Sequence, residues 1–282
     1  MAFLAVIGHP VGHSLSPLMH NSTLWMYRLP HKYLAIDILP ENLRNVINSL
    51  WKLEFIGFNI TIPHKEQVAK IAIELSEEAA STGAVNTTIR KSDGWAGFNT
   101  DVEGFISSFS RLNVRMTDTC LILGAGGSAK AATYALDKMG ARKIIIANRT
   151  PERAIKLREL MDPKISSNLE IISLDDVNNH VSRVDVVINA TPVGLMDDKL
   201  LINPECLTID QIVYDLVYSP RPTPLIRAAM NRGCKIIDGV VHLVEQGAAS
   251  FRIWTGITPE TSFMEKVVRT ELLRRWRRSE IS

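Results

Sequence analysis

A chain of 282 residues in which 32 Lys and Arg stand against 30 Asp and Glu carries a formal charge of only +2. That balance gives neither a nucleic acid nor an anionic membrane a reason to bind. At 46% hydrophobic and 22% charged residues, the composition is globular and supplies enough apolar material for two ordinary domains. The three cysteines, Cys120, Cys206 and Cys234, lack metal or redox spacing and read as small buried hydrophobes of a reducing compartment. No apolar run approaches the ~20 residues of a membrane helix. The opening residues lack the basic region of an export signal, so a cytoplasmic protein is expected.

The first block alternates strand and helix. Runs at 3–7, 33–38, 56–62 and 84–89 read as strands, and 17–27, 41–53 and 64–75 as helices. Ser16 before Pro17 reads as an N-cap followed by proline at the first helical position. The block ends near Asp101, where a helix over 102–112 begins. A second alternation has strands at 119–123, 142–147, 169–172, 184–189, 212–217 and 235–237. Thr150-Pro151 and Thr223-Pro224 repeat the cap-then-proline start, and Gly233 reads as a helix stop. From Val240 the tail is helical, broken at Gly256-Ile257-Thr258-Pro259.

Such alternation implies parallel βαβ units and two α/β domains. The expected division is a substrate-binding domain at 1–103 plus 240–282, with a mostly parallel sheet, and a Rossmann-type domain at 104–239. An active-site cleft is expected between them.

The strand at 119–123 runs into Gly124-Ala125-Gly126-Gly127-Ser128-Ala129 and then a helix to Met139. This is the G-x-G-x-x-A fingerprint in its strand–turn–helix context. Gly124 allows the tight turn, Gly126 lets a pyrophosphate approach the backbone, and Ala129 permits close helix–strand packing. The helix N-terminus offers oriented N–H groups to the anion. An NAD enzyme usually carries Asp or Glu at the end of the next strand. Here that place holds Asn148-Arg149-Thr150, with Arg153 a turn later, so a 2′-phosphate is favoured and the expected cofactor is NADP(H). Asn189-Ala190-Thr191-Pro192-Val193-Gly194 reads either as a plain βα loop or as contact with the nicotinamide half, through Ala190, Thr191 and Pro192.

Polar residues cluster in the first block: Ser14 and Ser16, then Asn59, Thr61 and Lys65, then Asn86, then Asn99-Thr100-Asp101. Ketone reduction needs a hydride donor and an acid for the developing alkoxide. A lysine with an aspartate beside it can be that acid. By residue type alone, Lys65 reads first as an exposed helix-start residue and Asp101 first as an N-cap. The reaction also needs polar groups to fix a hydroxylated ring, and Asn59, Asn86 and their polar neighbours are candidates. His9 and His13 flank a turn proline, and no metal site is expected.

The order of these motifs resembles the shikimate dehydrogenase family over nearly the whole chain. The matching stretches are Gly8-His9-Pro10-Val11-Gly12-His13-Ser14-Leu15-Ser16-Pro17, Asn59-Ile60-Thr61-Ile62-Pro63-His64-Lys65, Gly83-Ala84-Val85-Asn86-Thr87 and Asn99-Thr100-Asp101. They continue through the glycine loop, Asn148-Arg149-Thr150, Asp215-Leu216-Val217-Tyr218, Thr223-Pro224-Leu225, and Gly239 through Gln246-Gly247-Ala248.

The resemblance implies Lys65 and Asp101 as the catalytic pair. It implies Ser14, Ser16, Thr61, Asn86, Tyr218 and Gln246 as substrate ligands, and Leu216, Gly239 and Glu77 near the nicotinamide. It further implies reversible reduction of 3-dehydroshikimate to shikimate with NADPH, on the route to aromatic amino acids. A quinate/shikimate dehydrogenase with broader substrate and cofactor use is the alternative, and a non-catalytic ligand sensor the rival from another class. The partners expected are small molecules, with no nucleic acid or membrane, for a monomer or homodimer. His242 departs from the family's usual methionine and reads as a neutral core or cleft-lining imidazole.

Overall fold

In the computed structural model, which describes residues 1–112, 119–195, 197–219 and 221–279, β1 (Phe3–Gly8) lies between β2 (Lys32–Asp37) and β3 (Gly57–Ile60). These three are parallel, and β5 (Thr87–Arg90) and β6 (Trp95–Phe98) extend the sheet antiparallel beyond β3. A two-residue strand β4 (Glu74–Leu75) closes it, giving the order β2-β1-β3-β5-β6-β4. The β1 sequence is apolar throughout because helices cover both faces. Ala5 and Ile7 pack with Ile47, Leu50, Phe58 and Ile60 on one side. Leu4 and Val6 pack with Leu24, Tyr33, Phe251 and Trp254 on the other.

The first unit comprises Met1–Gly104 with Leu243–Thr270. Its helices are α1 (Ser16–Met26), α2 (Leu43–Lys52), α3 (Lys65–Ile71), α4 (Glu77–Thr82) and the first turn of α5 (Thr100–Ser110). Several expectations are corrected here. A single helix over 64–75 is replaced by α3 and β4, because Ala72 turns extended and Ile73 N–H donates to the Trp95 carbonyl. The strand over 84–89 begins only at Thr87, since Val85 N–H is drawn to the Lys65 carbonyl instead of a ladder. Ser16 is not the cap of α1. It is the first helical residue, and its N–H donates to the Ser14 hydroxyl at 3.2 Å. Neither α4 nor β6 was legible.

His20 on α1 is wholly buried, stacked on Tyr33 at 4.5 Å and edge-on to Trp254 at 5.3 Å. Neither ring nitrogen has a hydrogen-bond partner among the described residues, and burial pushes its pKa from 6.5 down to about 3. The unfolded chain binds this proton below pH 6.5 while the folded chain refuses it until about pH 3. Stability is therefore full above pH 6.5 and falls as the pH drops through that window. Between pH 6.5 and 5 the loss is about 2 kcal/mol. We expect His20→Phe to remove this share of the pH dependence, measured by urea unfolding at pH 7 and pH 5. A variant as acid-sensitive as the parent refutes the assignment.

The second unit comprises Phe105–His242 with the stretch beginning at Glu271. Its strands β7 (Thr119–Leu123), β8 (Lys143–Asn148), β9 (Asn168–Ser173), β10 (Val186–Asn189), β11 (Ile212–Asp215) and β12 (Lys235–Ile237) are all parallel, in the order β12-β11-β10-β7-β8-β9. The order reverses between β7 and β10, which is the topological switch point where ligands of such sheets bind. Helices α6 (Gly127–Lys138), α7 (Pro151–Met161), α8 (Asn178–Val181) and α9 (Pro224–Asn231) connect the strands. Thr223 caps α9 by accepting from Ile226 N–H, as its sequence suggests, whereas Thr150 makes no side-chain cap of α7. Gly233 follows α9 at φ +73°.

The tail forms α10 (Gly239–Thr255) and α11 (Thr261–Ser279). On α11 the basic run is a solvated face. Arg274 and Arg275 both bond Glu271, holding its carboxyl down to about 2. No helix among the described residues is long and apolar enough to cross a membrane.

Candidate active site and dinucleotide loop

In the first unit the loops after β1, β3 and β6 carry the polar residues. Asp37 at the end of β2 ties down the first loop, accepting from Val11 N–H at 3.0 Å and pairing with the His9 ring at 2.6 Å. Those contacts hold the Asp37 carboxyl below its usual range, the His9 hydrogen bond first. The loop presents Ser14 half-buried and Ser16 buried at the start of α1. After β3 come Thr61, half-buried, and Lys65, the first residue of α3. His64 fixes this corner through a 2.7 Å ring contact with the Ile38 carbonyl.

Lys65 Nζ lies 2.6 Å from Asp101 Oδ2, the two side chains being only 14% and 7% exposed. Asp101 does not cap α5. Asn99 accepts from Asp101 N–H, and the carboxylate itself turns to Lys65 and Asn86. Asn86 Nδ2 donates to Asp101 Oδ1 at 2.7 Å. Its Oδ1 accepts from Thr100 N–H at 2.7 Å, which fixes the amide orientation. A buried ion pair of this kind is held by hydrogen bonds to its remaining oxygens, and here one is supplied.

Asn59 is held from within the protein. It is buried, and both ends of its amide are engaged within the protein: Oδ1 accepts from the Tyr33 hydroxyl, and Nδ2 donates to the Asn86 carbonyl, Thr87 and Ser250. It lies beneath Asn86 as a support. Gln246 is half-buried on α10, its Nε2 donating to the Leu243 carbonyl. Glu77 is exposed at the first position of α4.

In the second unit Gly124 follows β7 at φ +112°, and a Cβ there would stand 3.0 Å from the Ala190 carbonyl oxygen. The loops after β7 and β10 thus meet at the switch point. Gly126 caps α6, and a Cβ on it would meet open space, so a bound pyrophosphate has room at the helix N-terminus. Around that terminus Ala125, Gly127 and Ser128 retain access to solvent, and Ala129 is packed inside.

At the end of β8, Asn148 Nδ2 donates to the Thr150 carbonyl, and Arg149 and Arg153 are exposed with no side-chain partner among the described residues. The structure therefore offers an anion cradle and two uncommitted guanidiniums, which fit a phosphorylated dinucleotide. Ala190 and Thr191 are half-buried and Pro192 exposed.

Asn189 braces this loop. Its Oδ1 accepts from both Thr191 N–H and the Thr191 hydroxyl, and its Nδ2 donates to Asp215. Asp215 is buried, which raises its carboxyl pKa against the opposing bonds from Thr223, Val217 and Asn189. Leu216 and Tyr218 follow half-buried, and Gly239 lies so close to residues 216–217 that a Cβ would stand 2.6 Å from their backbone. His242 is a buried imidazole, bonded to the Tyr214 hydroxyl at 2.8 Å and 4.6 Å from the Phe105 ring.

A switch-point glycine loop in one unit and a lysine–carboxylate pair in the other are the features of a dinucleotide-dependent oxidoreductase. Comparison with known proteins gives the family. Residues 6–88 match the model of the shikimate dehydrogenase substrate binding domain, 108–196 that of shikimate / quinate 5-dehydrogenase, and 242–269 that of the shikimate 5'-dehydrogenase C-terminal domain.

The chain is 39% identical to the shikimate dehydrogenase (NADP(+)) of Methanocaldococcus jannaschii, covering 94% of this chain and 95% of the relative. It superimposes on the shikimate 5-dehydrogenase of Thermus thermophilus in complex with NADP(H) and shikimate, with TM-score 0.87 and 35% identity over 96% and 99% of the two chains. The quinate dehydrogenase of Corynebacterium glutamicum in complex with NAD aligns with TM-score 0.89 and 30% identity, over 95% and 99%. The chain belongs to the shikimate dehydrogenase family.

Sequence reasoning missed the hydroxyl residues under the site, Thr87 and Ser250, and the brace Asn189. A signal existed for Ser250: it stands four residues after Gln246 on an otherwise apolar helical stretch.

Proposed function

We propose that this chain is an NADP-dependent shikimate dehydrogenase that interconverts 3-dehydroshikimate and shikimate. The carrying observation is the 2.6 Å Lys65–Asp101 pair, nearly buried and backed by Asn86. The nicotinamide, when bound, supplies or takes the hydride at the ring carbon. In reduction the Lys65 ammonium gives a proton to the carbonyl oxygen, and in oxidation the neutral amine removes the hydroxyl proton. Asp101 holds Lys65 in place through Oδ2. Ser14 and Ser16 take the carboxylate, Thr61, Asn86, Tyr218 and Gln246 hold the ring, and Asn59 supports Asn86 from below. The three free cysteines, Cys120, Cys206 and Cys234, support a reducing, cytoplasmic compartment.

The test is absorbance at the reduced-nicotinamide band with shikimate and quinate, each against NADP and NAD. Turnover is expected for shikimate with NADP. Equal use of quinate would favour the broader specificity suggested by the quinate dehydrogenase likeness. No turnover with either substrate overturns the proposal.

Arg149 and Arg153 are assigned to the 2′-phosphate. Each charge-assisted contact is worth roughly 1.5–3 kcal/mol. We expect Arg149→Ala with Arg153→Ala to raise the apparent Kd for NADP by tenfold or more, about 1.4 kcal/mol, and to leave NAD use nearly intact. Equal losses with both cofactors would sink this assignment.

A further inference from the structure

We propose that the Thr87 and Ser250 hydroxyls are positioning residues for the acid–base pair, setting the orientation of the Asn86 amide that holds Asp101. The inference rests on the reading of Lys65 and Asp101 as that pair.

Thr87 and Ser250 are both completely buried and 2.8 Å apart, and each lies 3.1 Å from the Thr100 hydroxyl. The cluster has a direction that follows from its donors. The Tyr33 hydroxyl donates to Asn59 Oδ1 at 2.6 Å, which turns Asn59 Nδ2 towards Thr87 and Ser250 at 2.9 and 3.0 Å. An amide NH2 can only donate, so the two hydroxyls accept there and send their own protons onward.

Thr87 donates to Asn86 Oδ1 at 3.1 Å when Ser250 gives its own proton to Thr87 at 2.8 Å, and Ser250 also has the Gln246 carbonyl within donating reach at 3.0 Å. Asn86 Oδ1 thus collects Thr87, the Thr100 hydroxyl and Thr100 N–H, and its NH2 is aimed at Asp101 Oδ1 at 2.7 Å. A flipped Asn86 would set its oxygen against the carboxylate. Ser250 also joins this cluster to α10, the helix that bears Gln246.

Networks of this kind act as units, so removing one member affects the groups it orients. Thr87→Val keeps the shape and deletes the hydroxyl, and Thr87→Ser does the reverse. If Thr87 only fills space, Ser harms at least as much as Val. If it positions Asn86, Val is the damaging change and Ser restores function.

We expect Thr87→Val to lower kcat for shikimate oxidation about tenfold, a factor typical of losing one neutral hydrogen bond. The KM for NADP should stay unchanged. With a donor to Asp101 weakened, its carboxylate protonates more readily, so the acid limb of the kcat/KM profile moves to higher pH by roughly half a unit. Thr87→Ser should return both to parent values, whatever its melting temperature. Ser250→Ala should shift the limb in the same direction, and it serves if Thr87→Val does not fold.

Lys65→Met is run in parallel. If Lys65→Met keeps turnover, the underlying reading fails. If it loses turnover while Thr87→Val and Ser250→Ala keep the parent's rate and pH profile, the positioning role alone is overturned.

Discussion

Lys65→Met is expected to fold normally and to lose turnover by roughly 10²–10⁴-fold, the range for removing a general acid or base. The substitution keeps most of the apolar stem and deletes the proton-carrying head, and the lost partner is Asp101 at 2.6 Å. Substrate affinity should change far less than kcat, because a contact used in the transition state shows in kcat. Truncating one partner of a nearly buried ion pair also leaves a carboxylate unpaired, which destabilises. Asn86 Nδ2 on Asp101 Oδ1 limits that penalty. Loss of a lysine that served only this ion pair would lower stability by the same penalty and leave turnover alone. Steady-state kinetics with circular dichroism separates the two, and near-parental turnover in folded protein overturns the mechanism.

The second unit was the more legible half of the fold. Most of its described strands are short apolar runs in an all-parallel sheet, so periodicity and turn residues fix most elements to within a residue or two. The first unit was harder because β5 and β6 insert antiparallel, and because the pattern at 64–75 conceals a break. There, pairing of Glu74–Leu75 with β6 overrides the local helical spacing.

In the site, Lys65, Asn86 and Asp101 were singled out by the family motifs and not by residue type, and the fold brings them together. Asn59 reads from the sequence as a ligand because asparagine in a polar motif suggests one, and the register gives it internal partners that the sequence did not show. Asn59 pairs with Val6, on the face of the sheet packed with Tyr33 and Phe251, so its amide meets Tyr33 and Ser250. Ser250 was missed for another reason: a serine in a helix looks like filler, and its side-chain partners lie 150 to 191 positions away in the chain.

A pair of glycine substitutions should divide the two duties of the dinucleotide loop. Gly124→Ala is expected to cost stability and cofactor binding together. At φ +112° an L side chain is strained, and its Cβ would stand 3.0 Å from both the Ala190 carbonyl oxygen and Thr191 Cγ2. Together these should destabilise by about 2–3 kcal/mol, since the crowded neighbour is backbone and must move.

Gly126→Ala differs in every structural respect. Its φ of −91° suits any residue, and the added methyl meets open space. The folded protein should keep its melting temperature to within the effect of about 0.5 kcal/mol. The open space is where the fingerprint brings a pyrophosphate against the backbone, so a methyl there excludes the ligand and not the fold. NADP and NAD should both bind at least about tenfold more weakly, because the pyrophosphate is common to them and each tenfold loss is about 1.4 kcal/mol. Shikimate binding, read by differential scanning fluorimetry without cofactor, should be unchanged. A Gly126→Ala protein that binds NADP as tightly as the parent would mean that the pyrophosphate does not lie over the α6 N-terminus, and the reading of Arg149 and Arg153 would fall with it.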